Sequence, residues 1–92
     1  MHQPGPNGGR FVIQRDGRDV ATLAYAGKGP LVTLVHTEVD PVMRGTGAGK
    51  TLVDEAVQWA RASGTRLAAQ CPYAKSVLEK TAEYHDVFET SH

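Results

Sequence analysis

The chain is predicted to fold as an α/β domain whose mixed sheet starts as an antiparallel meander and ends in a parallel β-α-β unit. Three observations predict it. Asp16-Gly17, a pair suited to a type I′ turn, stands between two short apolar runs. A third run rich in Val, Leu and Thr, Leu31 to Val39, follows the turn Gly27-Lys28-Gly29-Pro30. An amphipathic helical stretch then leads to one more short apolar run, and a helical crossover makes neighbouring strands parallel.

Each element has its own warrant. Residues 1–9, Pro/Gly/Asn-rich, are expected to be a flexible tail, leaving 10–92 as a single domain. Arg10 to Arg15 and Arg18 to Tyr25 are the hairpin strands, with Phe11, Val12, Ile13, Val20, Leu23 and Tyr25 as apolar surface. In Leu31 to Val39, alternation puts Val32, Leu34, His36 and Glu38 on one face unless a bulge shifts the register. From Gly47 to Ser63, residues Leu52, Val53, Ala56, Val57, Trp59 and Ala60 form one stripe at 100° per residue, and Gly64 supplies the stop. Arg66 to Cys71 is the last strand, broken by Pro72, and Tyr73 to about Glu83 is a second helix with Ala74, Val77, Leu78 and Ala82 at helical spacing.

Composition bounds the function. With 92 residues there is one domain, and ten basic residues balance ten acidic ones, so no net field recruits nucleic acid or an anionic membrane. No apolar run reaches the ~20 residues of a membrane helix. The single cysteine, Cys71, excludes an internal disulfide and suits a reducing, cytoplasmic setting. The first residues lack the basic and apolar regions of a signal peptide.

The chemistry concentrates in Met43-Arg44-Gly45-Thr46-Gly47-Ala48-Gly49-Lys50-Thr51, between a strand and a helix. It is not an ATP loop. That motif needs four residues between its first glycine and Gly-Lys-Ser/Thr, whereas Gly45 and Gly49 enclose three and Arg44 stands where the glycine belongs. Nor is it a dinucleotide fingerprint: the spacing is Gly-x-Gly-x-Gly, and no acidic residue ends the next strand to hold a ribose. The remaining pattern is Arg/Gln-x-x-Gly-x-Gly/Ala, met by Arg44-Gly45-Thr46-Gly47-Ala48-Gly49. Together with His36-Thr37-Glu38-Val39, Cys71-Pro72-Tyr73 and Glu83-Tyr84, this run resembles the small, single-domain subfamily of GNAT-superfamily acetyltransferases over about residues 10–88.

The resemblance implies an acetyl-CoA-dependent N-acetyltransferase. The pyrophosphate of coenzyme A would rest on the N–H groups of Gly45 to Lys50, with Val39, Met43, Arg44, Gly45, Thr46, Gly47, Ala48, Gly49 and Lys50 forming the cofactor site and Arg44 or Lys50 adding charge. The pantetheine arm would pair along the edge of His36 to Val39. Glu38 or His36 would serve as base, Cys71 across from His36 either as an acetyl-accepting thiolate or as a buried core residue, and Tyr73 either as proton donor to the departing thiolate or as a pocket wall. No metal site is expected. The helices that standard members place after the first strand are missing, because Asp16-Gly17 joins the first two strands directly. The acceptor amine is therefore unidentified. A protein lysine or N-terminus entering an open cleft, and a cleft completed by a partner protein or a second subunit, are both consistent with this, as is a non-catalytic acyl-CoA-binding module.

Overall fold

The hairpin signal at Asp16-Gly17 is realised: the two residues take φ 54° and 76°, the left-handed pair that a type I′ turn requires. The computed structural model describes residues 1–89. It places five strands in the sheet order β1-β2-β3-β4-β5, namely β1 His2–Gly5, β2 Gly8–Arg15, β3 Arg18–Ala26, β4 Leu31–Val39 and β5 Arg66–Ala69. The first four are antiparallel neighbours, and β5 lies parallel to β4. Helix α1 spans Ala48–Ser63 and α2 Pro72–Lys80, with short 3-10 turns at Pro41–Met43 and Ala82–Tyr84. The mixed α/β sheet is thus as expected.

The first residues are a correction. The stretch expected to be a flexible tail pairs as β1 against β2, in the register His2↔Phe11 to Gly5↔Gly8. Composition misled because the glycines serve close approach. A Cβ on Gly9 would stand 2.6 Å from the Gln3 carbonyl oxygen and 2.7 Å from the Tyr25 hydroxyl. The His2 ring stacks on Phe11 with centroids 4.4 Å apart, and its Nε2 lies 2.6 Å from the Tyr25 hydroxyl. Trp59 of α1 closes the cluster 5.0 Å from His2.

Two bulges shape the sheet. Ile13 pairs with Ala21 but Gln14 with Asp19, so Val20 is the extra residue in β3. Ala24 pairs with His36 but Tyr25 with Leu34, so Val35 is the extra residue in β4. One apolar cluster joins Phe11, Leu23 and Leu34 of the sheet with Leu52, Val53 and Val57 of α1 and Ala74 and Leu78 of α2. Both helices therefore cover the same face, and each fully buried Leu or Val contributes roughly 1.5–3 kcal/mol through burial. Arg61 of α1 ties down the C-terminal segment, donating from Nε to Asp86 Oδ2 (2.8 Å), from Nη2 to Asp86 Oδ1 (3.0 Å) and to the Glu83 carbonyl. Among the described residues no helix is long and apolar enough to cross a membrane.

The aromatic cluster predicts a pH effect. Burial lowers the pKa of His2, against an opposing pull from Glu55. A histidine depressed in the folded state contributes fully above its unfolded value, about 6.5, and loses that contribution as pH falls through its folded value. The urea midpoint is expected to drop between pH 7 and 5, and His2→Phe to flatten that slope. An unchanged slope in the variant would remove His2 as its source.

Candidate functional site

The site begins where β4 and β5 part. Their ladder runs from Leu31↔Arg66 to Leu34↔Ala69 and stops. The Leu34 carbonyl then accepts from both Gln70 N (2.8 Å) and Cys71 N (3.1 Å). Pro72 has no N–H to continue the pairing and opens α2 at its first position instead. From Val35 to Val39, β4 thus keeps β3 on one side and, among the described residues, has no strand on the other. This is the free edge along which an extended arm can pair.

The bulge at Val35 decides which side chains flank that edge. Val32 and Leu34 point into the core, whereas beyond the bulge Thr37 takes the helix-covered face and His36 and Glu38 the opposite one. His36 Nε2 and Glu38 Oε1 lie 3.3 Å apart, with the side chains 64% and 73% exposed. The four-residue face expected to run Val32, Leu34, His36, Glu38 is accordingly broken.

Cys71 lies on the other side of the sheet. It is buried in the core, and its Sγ lies 3.2 Å from Thr37 Oγ1. The expected juxtaposition with His36 is not formed, because residues 36 and 37 project to opposite faces. Thr37 was not legible as a site residue; only the position of the bulge reveals it. Burial pushes the Cys71 thiol up, but hydrogen bonds from the backbone at Ala74 and Tyr73 and from Thr37 outweigh it and hold the thiol below its usual value.

The glycine loop closes the free edge at its far end. Asp40 caps the 3-10 turn by accepting from Val42 N at 3.0 Å. The N–H groups of Arg44 and Thr46 are committed to the carbonyls of Pro41 and Met43, and the Thr46 hydroxyl also donates to Met43 O at 2.5 Å. Gly45 and Gly47 adopt φ 80° and 78°, where an L side chain would be strained. No side chain caps α1 at Gly47, which leaves the N–H groups of its first turn facing outward. A cleft of about 190 Å³ is lined by Val39, Met43, Arg44, Gly45, Gly47, Ala48 and Gly49, with Tyr73 as the opposite wall. Thr46 and Lys50, expected in the same set, lie outside that lining, and Thr46 N–H is not available to a ligand. Uncommitted donors without bulk, a helix N-terminus, Arg44 and an open strand edge together fit a pyrophosphate that continues into an extended amide-bearing arm.

The thiol provides a check on this geometry. Alkylation of Cys71 is expected to be slow for so buried a group, yet to titrate at lower pH than an ordinary cysteine, and Thr37→Val should move that midpoint upward. A midpoint at or above the ordinary value would contradict the hydrogen bonding described.

Comparison with known proteins bears on the fold and the family. The family described as GCN5-related N-acetyl-transferase matches residues 10–87. No curated protein sequence matches significantly. Among solved structures, a GCN5-like protein from Staphylococcus aureus is 27% identical with a TM-score of 0.74, covering 100% of this chain and 90% of its own. A ribosomal-protein-alanine N-acetyltransferase from Brucella melitensis biovar Abortus 2308 has a TM-score of 0.71 at 16% identity, over 96% of this chain and 66% of its own. An aminoglycoside N-acetyltransferase solved in complex with CoA has a TM-score of 0.60 at 18% identity, over 82% and 66%. With the family match spanning most of the chain and the loop, free edge and strand order all in place, the protein belongs to the GCN5-related N-acetyltransferases and is a minimal, acetyl-CoA-dependent member of that family.

Proposed function

We propose that this enzyme acetylates an amine that approaches from the face of the sheet opposite α1 and α2, with Glu38 as the base and His36, 3.3 Å away, beside it. The observation that carries this is the bulge at Val35. It turns both side chains away from the packed helices, beside the stretch of β4 edge where the arm would lie. Acetyl-CoA supplies the thioester carbonyl. The amine arrives as an ammonium whose free pKa is about 10, so a proton must leave before nitrogen can attack. The Glu38 carboxylate takes that proton directly or through His36; nitrogen then bonds to the carbonyl carbon as the C–S bond breaks, and coenzyme A leaves as its thiolate, which takes up the second proton lost by nitrogen.

Glu38 also lines a hollow of about 450 Å³ on this face, with Arg10, Asp19, Thr22 and Asp40 among its neighbours. Since both helices sit on the other side, a bulky acceptor such as a protein lysine or N-terminus can reach the site without a helix in its path. Direct attack fits this arrangement better than an acetyl-cysteine relay. Cys71 is buried on the far side of the sheet, with Thr37 and not His36 as its neighbour.

An acceptor screen read by release of free coenzyme A tests the proposal. With a competent amine, Glu38→Gln should lower kcat/KM by roughly 10²–10⁴-fold, while Cys71→Ala retains turnover and the wild type forms no acetyl adduct in intact-mass spectra. An acetyl adduct on Cys71 together with a fully active Glu38→Gln variant would replace direct attack by the relay. Tight acetyl-CoA binding without release across a broad amine panel would favour a binding module over an enzyme.

A further inference from the structure

The three glycines of the loop serve two purposes. Gly45 and Gly47 have positive φ and open space where a Cβ would stand. Gly49 lies inside the first turn of α1, and a Cβ there would stand 2.7 Å from both Cε2 and the hydroxyl oxygen of Tyr73. The edge of the Tyr73 ring therefore rests directly on the Gly49 backbone, which brings the phenolic oxygen onto the turn whose N–H groups face the loop. The ring is also 45% exposed, so it forms a wall of the cleft and is not sealed in the core.

This position is at the phosphate end of the cleft. Tyr73 faces Val39 and the loop, whereas Cys71, two residues earlier, is level with Thr37. The bulge at Val35 lies four residues before Val39, about 13 Å along an extended strand. Of the polar pair on the opposite face, His36 lies nearer the bulge and Glu38 directly precedes Val39.

Resting on the assignment of the loop to coenzyme A, we propose that Tyr73 is a ligand of the pyrophosphate end of the cofactor. Its hydroxyl donates to a phosphate oxygen, and the missing side chain at Gly49 creates its seat. A phenol offers one O–H donor, and a bond from it to an anionic oxygen is of the stronger, charge-assisted kind.

NMR titration of labelled protein with acetyl-CoA and with S-acetylpantetheine, which keeps the thioester arm but lacks the pyrophosphate and nucleotide, tests this. Tyr73→Phe should weaken acetyl-CoA binding by roughly tenfold and S-acetylpantetheine binding by less than about twofold. Equal weakening of both ligands, or none for acetyl-CoA, would overturn the proposal. Gly49→Ala should also weaken acetyl-CoA, but add little in a Tyr73→Ala background; fully additive losses would overturn the seat. Wild-type protein that shows no saturable binding of acetyl-CoA would reject the loop assignment itself. Saturable wild-type binding with equal losses in the variant would reject only the role of Tyr73.

Discussion

The Leu34 carbonyl accepts two N–H groups, from Gln70 and Cys71, and beyond it β4 and β5 separate. A parallel pair that continued to Val39 would satisfy the β4 edge internally and leave nothing for a ligand to pair with. Pro72 ensures the separation, since it withholds a donor and starts α2. Separation gives the sheet a free edge, and the glycine loop places anion-seeking N–H groups at the end of it. Neither feature holds an extended phosphorylated cofactor alone. Joined through Val39, they define a path from the loop to the bulge.

The bulge at Val35 then divides the labour between the two faces. Without it, His36 and Glu38 would project into the cluster formed by Leu34, Leu52 and Leu78, where an unsatisfied carboxylate is costly. With it, the polar pair is exposed, and half-buried Thr37 and buried Cys71 fill the space beneath the edge. A single inserted residue thus separates candidate proton transfer from packing.

Much of this was legible from local chemistry. The I′ turn at Asp16-Gly17, the stripe of α1 and its stop at Gly64 are fixed by residues adjacent in sequence. The count from Arg44 to Gly49 identified the ligand class for the same reason. What stayed hidden depends on contacts distant in the chain. Pro4, Gly5, Gly8 and Gly9 looked like a tail because nothing local shows that His2 would stack on Phe11 and Trp59. A bulge at Val35 leaves no compositional mark, so the Cys71–His36 pairing seemed reasonable until the register reversed it. The third glycine looked like part of the phosphate loop, although its missing Cβ accommodates Tyr73 from another helix.

The central claim is that one continuous path, from the loop to the free edge of β4, receives acetyl-CoA. Amide chemical-shift mapping during titration with acetyl-CoA measures it most directly. The largest changes should fall on Gly45, Gly47, Ala48, Gly49 and Lys50 and extend along Val35 to Val39. Changes concentrated elsewhere, for example around Gly27 to Pro30 and Trp59 at the opposite end of β4, would contradict it.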